Sequence, residues 1–286
     1  MVLACRDPER AQSAVESLRR RMPSASVVAM RLDLASFASI RSFADELGQR
    51  LARGQLPPLH ALVCNAGVQD VSVKRTLDGF ESTFGVNHLG HFLLVNLLLP
   101  RLVAPARIAV VASGVHDPAQ ERLGMPDPVW TTPEALAQGD LGEAARGDDP
   151  VRAGRRRYAT SKLANVLFAY ELARRLPPGV TVNAFDPGLM PGTGLARDAG
   201  AVARFAWTQI LPRIIPLLRR LLLPNIHTTE ESGTALAHLV HAPALEGTSG
   251  KYFEGMREIR SSEASYDVMR GGDLWRASAL MVGLGS

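Results

Sequence analysis

The sequence predicts an α/β fold, one doubly wound parallel sheet with helices on both faces. Three observations carry this. Near-continuous apolar runs such as "SVVAMRLDL" and "RIAVVAS" read as strands buried on both sides. Amphipathic stretches of helical period stand between them, opened by Asp-Pro or by Ser. No internal repeat and no linker interrupts the alternation, so the 286 residues are expected to form a single domain, 1–286.

The elements follow in order. "MVLAC" is a short strand, after which Asp7 can accept from the first free N–H groups of a helix and Pro8 takes its first position. That helix runs to about Arg21. A strand over 26–34 leads to Ser36, the cap of a second helix whose apolar face is Ile40, Phe43, Ala44, Leu47 and Leu51. "HALVCNAG" (60–67) is a third strand, stopped by glycine. A helix over about 78–103 precedes the strand 107–113, and a polar, Pro- and Gly-rich stretch fills 114–154. A helix over 156–176, a strand over 180–187, an irregular apolar section to 227 and a helix over 229–241 follow. "KYFEG" is a short strand before a helical tail.

Hydrophobic residues make up 46% and charged residues 21%, an ordinary globular composition. The formal charge of +4 gathers in short clusters, "RRR" at 19–21 and 155–157 and "LLRRLLL" at 217–223. Blocks this short read as solvated helix faces or substrate-side charge, so no nucleic-acid partner is expected. Cys5 and Cys64 both lie in apolar runs, which suits buried thiols in a reducing compartment. No secretory signal pattern opens the sequence, and a cytoplasmic location is expected. The most apolar long stretch, 202–223, carries Arg204, Arg213, Arg219, Arg220, Pro212 and Pro216, so it is not expected to cross a bilayer. Contact with a membrane surface stays open, as does the oligomeric state.

The chemistry concentrates in "YATSKLANVLFAYELARRL". Tyr158 and Lys162 stand four apart on a helix and share a face, ~5–6 Å apart. An ammonium there favours tyrosinate, and a phenol so tuned can pass a proton to or from a substrate oxygen. Alone, the pair reads better as a surface contact. Its company changes the balance. Ser113 ends a strand at the carboxyl edge of the sheet, and Asn65, Ala66 and Gly67 end another there, with small residues that let a ligand approach backbone. Asn87 is a polar residue on an otherwise apolar helix, either a satisfied buried amide or a functional one. "HLGH" (88–91) and "HLVH" (238–241) place histidines three apart but lack a third ligand, so no metal is expected.

The stretches "ACR", "LDLAS", "LVCNAG", "VNHLGHFLL", "YATSKLANVLF", "NAFDPG" and "LWRASALMVGL" span nearly the whole chain. In that order the chain resembles a short-chain dehydrogenase/reductase, of the branch that holds retinol dehydrogenases and protochlorophyllide reductases. The resemblance implies a Rossmann-like fold and an NAD(P)-dependent enzyme. It implies Tyr158 as general acid/base, Lys162 as the residue that lowers the Tyr158 pKa and binds the nicotinamide ribose, Ser113 as the group that orients the substrate carbonyl, and Asn87 as the holder of a relay water. Asp33 and Leu34 would meet the adenine, Asn65, Ala66 and Gly67 would line the cofactor groove, and Pro187 and Gly188 would bracket the nicotinamide.

Cofactor choice turns on Arg6, where an acid would pair with the ribose hydroxyls of NAD and a base accommodates the 2′-phosphate of NADP. Arg10 lies one helical turn on, and NADP (NADPH) is expected. The expected reaction is hydride transfer between the nicotinamide and a carbonyl or alcohol of a small apolar substrate. A catalytically silent nucleotide-binding or scaffold protein of the same fold is the alternative. The section 189–227, rich in Leu and Ile with Trp207, reads equally as a substrate lid or as core packing. "GTGLARDAG" (192–200) reads as a turn beside the substrate.

Three departures from the family pattern stand out. Leu189 follows Pro187-Gly188 where the protochlorophyllide reductases carry cysteine, which speaks against light-driven porphyrin reduction. Asp186 precedes the pair, where the family is not acidic. No Gly-rich phosphate turn is present, so the first βα unit of the family is missing. That unit's strand would lie between "MVLAC" and "HALVCNAG". Met1 is therefore expected to be a misplaced or truncated start, and the chain as written to be poorly soluble or to bind NADPH weakly.

Overall fold

In the computed structural model, which describes residues 1–120, 124–192, 205–221 and 225–285, Asp7 opens the first helix. Its carboxylate accepts from the Glu9 and Arg10 N–H groups, and Pro8 takes the first position. Strand β1 (Val2–Cys5) thus hands over to α1 (Pro8–Arg21), and β2 (Val28–Arg31) to α2 (Phe37–Ala52), capped by the Ser36 hydroxyl. Ile40, Phe43, Ala44 and Leu47 form the buried stripe of α2. β3 (Leu59–Cys64) follows.

The next helix is shorter and less regular than the pattern suggested. The Glu81 carboxylate caps α3 (Ser82–Phe84), a π turn occupies Gly85–Leu89, and α4 (Gly90–Leu98) runs on from it. Pro100, which cannot donate, stands in a closing 3₁₀ turn, and β4 (Leu102–Val111) begins five residues before the expected 107. Within 114–154 the structure has α5 (Pro133–Gln138), capped by Thr132 and ended at Gly139 with φ +83°. α6 (Pro150–Ala173) starts before the expected 156, because Asp149 and Pro150 repeat the Asp-Pro opening of α1. After β5 (Val180–Asp186), the section expected to be irregular holds a π turn (Ala206–Ile210), a 3₁₀ turn (Leu211–Ile214) and α7 (Ile215–Leu221). Residues 193–204 and 222–224 of that section, and most of "GTGLARDAG", lie outside the described residues. α8 (Thr229–His241), β6 (Tyr252–Glu254), β7 (Arg257–Ile259) and α9 (Val268–Met281) complete the chain.

β3, β4, β5 and β6 are parallel in that order, with β7 antiparallel on the outer edge. β1 and β2 form a separate parallel pair, so among the described residues the expected single sheet is two sheets. β3 has one ladder partner and its Val63 is 37% exposed.

β4 shows why the larger sheet needs helices on both sides. Ile108 and Val110 join a core with Ile40, Phe92 and Phe168, while Ala109 and Val111 face a second cluster with Phe185, Ala235 and Leu239 of α8. α9 closes the first core. Trp275 packs its ring 4.9 Å from Phe92 and 6.0 Å from Phe168, and Ser278 meets His88 at 2.8 Å. No described helix is long and apolar enough to cross a membrane.

Candidate active site

The candidate groups gather where β3, β4 and β5 end and α6 passes beneath them. Lys162 is 3% exposed, and its Nζ donates to the Val111 carbonyl at 3.0 Å, which also accepts from Asn165 Nδ2 at 3.1 Å. Among the described residues no carboxylate lies within ion-pair distance of this buried cation. Its Nζ stands over the Tyr158 ring, 5.5 Å from the ring centre. Burial is the main cause that lowers Lys162 to a pKa of about 8, and the charge of Asp186 opposes the fall.

Tyr158 moves the other way. The residue is half-buried, and burial first and Asp186 second push the phenol up from its ordinary value. This differs from the expectation that Lys162 lowers it. With the ammonium over the ring face and held by a carbonyl, desolvation dominates the phenol.

Asn87 sits in the π turn, the backbone irregularity that turns it inward from an apolar helix. Its amide is fully engaged: Oδ1 accepts from Val68 N–H at 2.8 Å, while Nδ2 donates to Val68 O at 3.0 Å and Ser161 Oγ at 2.9 Å. Ser161 in turn donates to the Tyr158 carbonyl at 2.7 Å. Gly67 lies against this group, since a Cβ there would stand 3.4 Å from Asn87 Oδ1 and 3.6 Å from Lys162 Nζ. Ser113 stands two residues beyond the end of β4, and its carbonyl accepts from His116 Nδ1 at 2.7 Å. His116 Nε2 accepts from Ser262 N–H at 3.1 Å, which fixes a neutral ring with the proton on Nδ1; burial lowers its pKa.

The structure therefore brings together Tyr158, Lys162, Ser113, Asn87 and the Asn65–Gly67 edge, with Pro187 and Gly188 after β5. It places Arg6, Asp33 and Leu34 just beyond the carboxyl ends of the two strands of the separate sheet, and Arg10 in the first turn of α1. Arg6 is exposed, Arg10 pairs with Asp7 at 3.3 Å, Asp33 accepts from the Ala35 N–H, and the Leu34 side chain belongs to the core. Sequence reasoning passed over Ser161, Asn165, His116 and Asn225. Asn165 was accessible to it, being one helical turn from Lys162. Among the described residues no group of three or more His, Cys, Asp or Glu could hold a metal ion. Two open cavities of about 340 and 370 Å³ lie elsewhere, beside Arg174 and Arg175 and beside Tyr170 and Lys251.

The family model for short chain dehydrogenases matches residues 1–121. Human retinol dehydrogenase 13 is 37% identical over 287 residues, covering 99% of this chain and 77% of its own length. Human retinol dehydrogenase 14 is 34% identical over 301 residues, with 99% and 79% covered. This chain is a short-chain dehydrogenase/reductase. A crystal structure of an uncharacterised Mycobacterium paratuberculosis protein superposes with a TM-score of 0.63 at 27% identity, covering 99% of this chain and 84% of that one. As a member of the family the protein is an NAD(P)-dependent oxidoreductase of the retinol dehydrogenase-like branch, with an α/β fold.

The half of the site nearest Lys162 fits a nicotinamide nucleotide: a buried cation without a carboxylate partner faces space that any side chain at residue 67 would fill. Lys162 would hold its ribose hydroxyls, and the small Asn65–Gly67 edge would let it lie against backbone.

Proposed function

We propose that the protein is a single-domain, NADP-dependent oxidoreductase that interconverts a carbonyl and an alcohol on an apolar substrate. The observation that carries the reading is Tyr158 and Lys162 on one face of α6 at the same sheet edge as Ser113, with Asn87 linked to them through Ser161. The nicotinamide supplies the hydride. The chain's own residues handle the proton. Tyr158 Oη gives it to the carbonyl oxygen in reduction and takes it back in oxidation, while Ser113 Oγ hydrogen-bonds that oxygen and fixes its approach. Lys162 holds a positive charge beside the phenol and stabilises tyrosinate as it forms. Asn87, fixed by Val68 and Ser161, keeps the inner wall of the site in register.

NADP is favoured by Arg6, exposed at the carboxyl end of β1, since a charge-assisted bond to phosphate contributes roughly 1.5–3 kcal/mol. Arg10, held by Asp7, is the lesser partner. An apolar substrate is supported by the section 189–227 and by the retinol in the relatives' names. That section leaves and rejoins the sheet at one point: Leu189 N–H donates to Asn225 O at 2.8 Å and His227 N–H to Leu189 O at 2.9 Å. A loop so closed suits a lid over the sheet edge.

One observation favours a second reading. Lys162 Nζ is tied to the Val111 carbonyl and stands 5.5 Å from the centre of the Tyr158 ring, which suits a catalytically silent nucleotide-binding or scaffold protein. The test is a screen of NADPH and NADH oxidation against aliphatic, aromatic and polyene aldehydes and ketones. Turnover with NADPH on apolar carbonyls, with Arg6→Asp lowering the NADP over NAD preference about tenfold, is the expected result. No turnover with any carbonyl would favour the scaffold. Equal loss for both cofactors would remove Arg6 from the phosphate site.

A further inference from the structure

Asp186 ends β5 with 2% of its surface exposed, yet among the described residues it has no ion-pair partner. Three donors converge on it instead. Oδ2 accepts from the Gly114 N–H at 2.8 Å and from Asn225 Nδ2 at 2.9 Å, and Oδ1 accepts from the Gly188 N–H at 2.9 Å. Each donor belongs to a different piece of the site. Gly114 is the residue after Ser113, Gly188 follows β5, and Asn225 is the returning end of the section 189–227. The Ser113–Gly114 peptide is therefore held at both ends by buried side chains, its carbonyl by His116 and its N–H by Asp186.

The local geometry leaves no slack. Gly188 has φ +74°, and a Cβ there would stand 2.4 Å from His227 and 2.6 Å from Asn225 Oδ1. A Cβ on Gly114 would lie 3.0 Å from Asp186 Oδ2 itself. Among the described residues, Asp186 is the carboxylate whose charge bears on both Tyr158 and Lys162. Tyr158, Lys162, His116, His227 and Tyr252 all respond to it. Glu254, Glu231 and Asp117 lie near some of these groups, but none of the three is felt by Tyr158 or Lys162.

We propose that Asp186 is the positioning residue of this site: its carboxylate fastens the Ser113 turn to the root of the 189–227 section, and its charge balances the buried Lys162 ammonium. The inference rests on reading Ser113, Tyr158 and Lys162 as the reactive residues. It predicts two separable losses. Without the carboxylate the Ser113 turn loosens, and without the charge Lys162 gives up its proton more readily.

Lys162 is one of only three lysines, with Lys74 and Lys251, so its side-chain titration can be followed directly by ¹³C-detected NMR on the full chain. Lys162 is expected to titrate near pH 8. Asp186→Asn should move that midpoint to lower pH, whereas Asn225→Ala, which removes a donor and leaves the charge, should not. In turnover assays both variants should lower kcat/KM by about tenfold or more, as a displaced positioning group does. A Lys162 midpoint unmoved in Asp186→Asn would overturn the charge role whether or not the protein turns over any carbonyl, so this failure is distinct from failure of the proposed reaction. If Asp186→Asn does not fold, Asp186→Ser is the second neutral variant. Unfolding of both would overturn the proposal, because the carboxylate would then serve the fold and not the site.

Discussion

At Tyr158 two influences compete, and their balance decides the chemistry. Burial and Asp186 hold the phenol protonated, the form required to donate to a carbonyl. The Lys162 ammonium stabilises the tyrosinate left behind. Tyr158→Phe should therefore lower turnover at least about a hundredfold while NADPH affinity, measured by fluorescence titration, stays nearly unchanged. Lys162→Ala should damage both. Near-normal rates in Tyr158→Phe would remove the phenol from the reaction. These two residues were legible from their spacing only in company with Ser113 and the Asn65–Gly67 edge. Asn87 was legible as a polar residue in an apolar helix, but its partners were not, because the π turn that aims it is a property of the fold and not of local propensity. Ser161 stayed hidden for a simpler reason: beside Tyr158 and Lys162 it looks like an ordinary polar helix residue.

Among the elements, α9 shows how a surface-looking tail becomes part of the core. Its sequence carries Asp267 as cap and Leu274, Ala277 and Ser278 at helical spacing. Trp275 lies across Phe92 of α4 and Phe168 of α6, with the Arg175 guanidinium 4.6 Å above its ring. Trp275→Ala should destabilise the protein near the lower end of the roughly 3–5 kcal/mol expected for a core tryptophan, since the ring keeps some exposure. Urea unfolding followed by circular dichroism measures this. A loss below ~1 kcal/mol would mean that α9 is an appendage. Element existence was readable throughout the parallel core, where strands and helices differ sharply in period. Boundaries were not. The start of α6 was missed although Asp149-Pro150 repeats the Asp7-Pro8 signal, because the polar composition of 114–154 read as loop. β7 escaped because three residues pairing across a tight turn have no period to detect.

Across the whole molecule, three histidines sit in the interior as neutral rings, and they tie stability to pH. His88 is fully buried among Phe84, Phe92 and Phe168, with Nδ1 lacking a hydrogen-bond partner among the described residues. Burial first, and the neighbouring His91 second, lower its pKa to about 3. His91 falls to about 4, mainly by burial, against the pull of the Asn87 carbonyl that accepts from its Nδ1. His116, between Ser113 and Ser262, is lowered by the same cause. In the unfolded chain each takes up a proton near pH 6.5. The folded state refuses these protons, so its stability is fully present above about pH 6.5 and is lost as pH falls towards the folded values of about 4 and 3. The slope is roughly 1.4 kcal/mol per pH unit for each histidine. The urea midpoint should therefore drop steeply between pH 7 and pH 5, and unfolding at pH 5 should take up about two to three protons in calorimetry with paired buffers. His88→Gln, which can still meet Ser278, should remove close to one of them. Equal stability at pH 5 and pH 7, or no proton uptake on unfolding, would show that these rings are charged or solvated in the fold. Because His91 holds the backbone of Asn87 and His116 that of Ser113, the same acid range should release the inner wall of the site and the turn that carries its serine together.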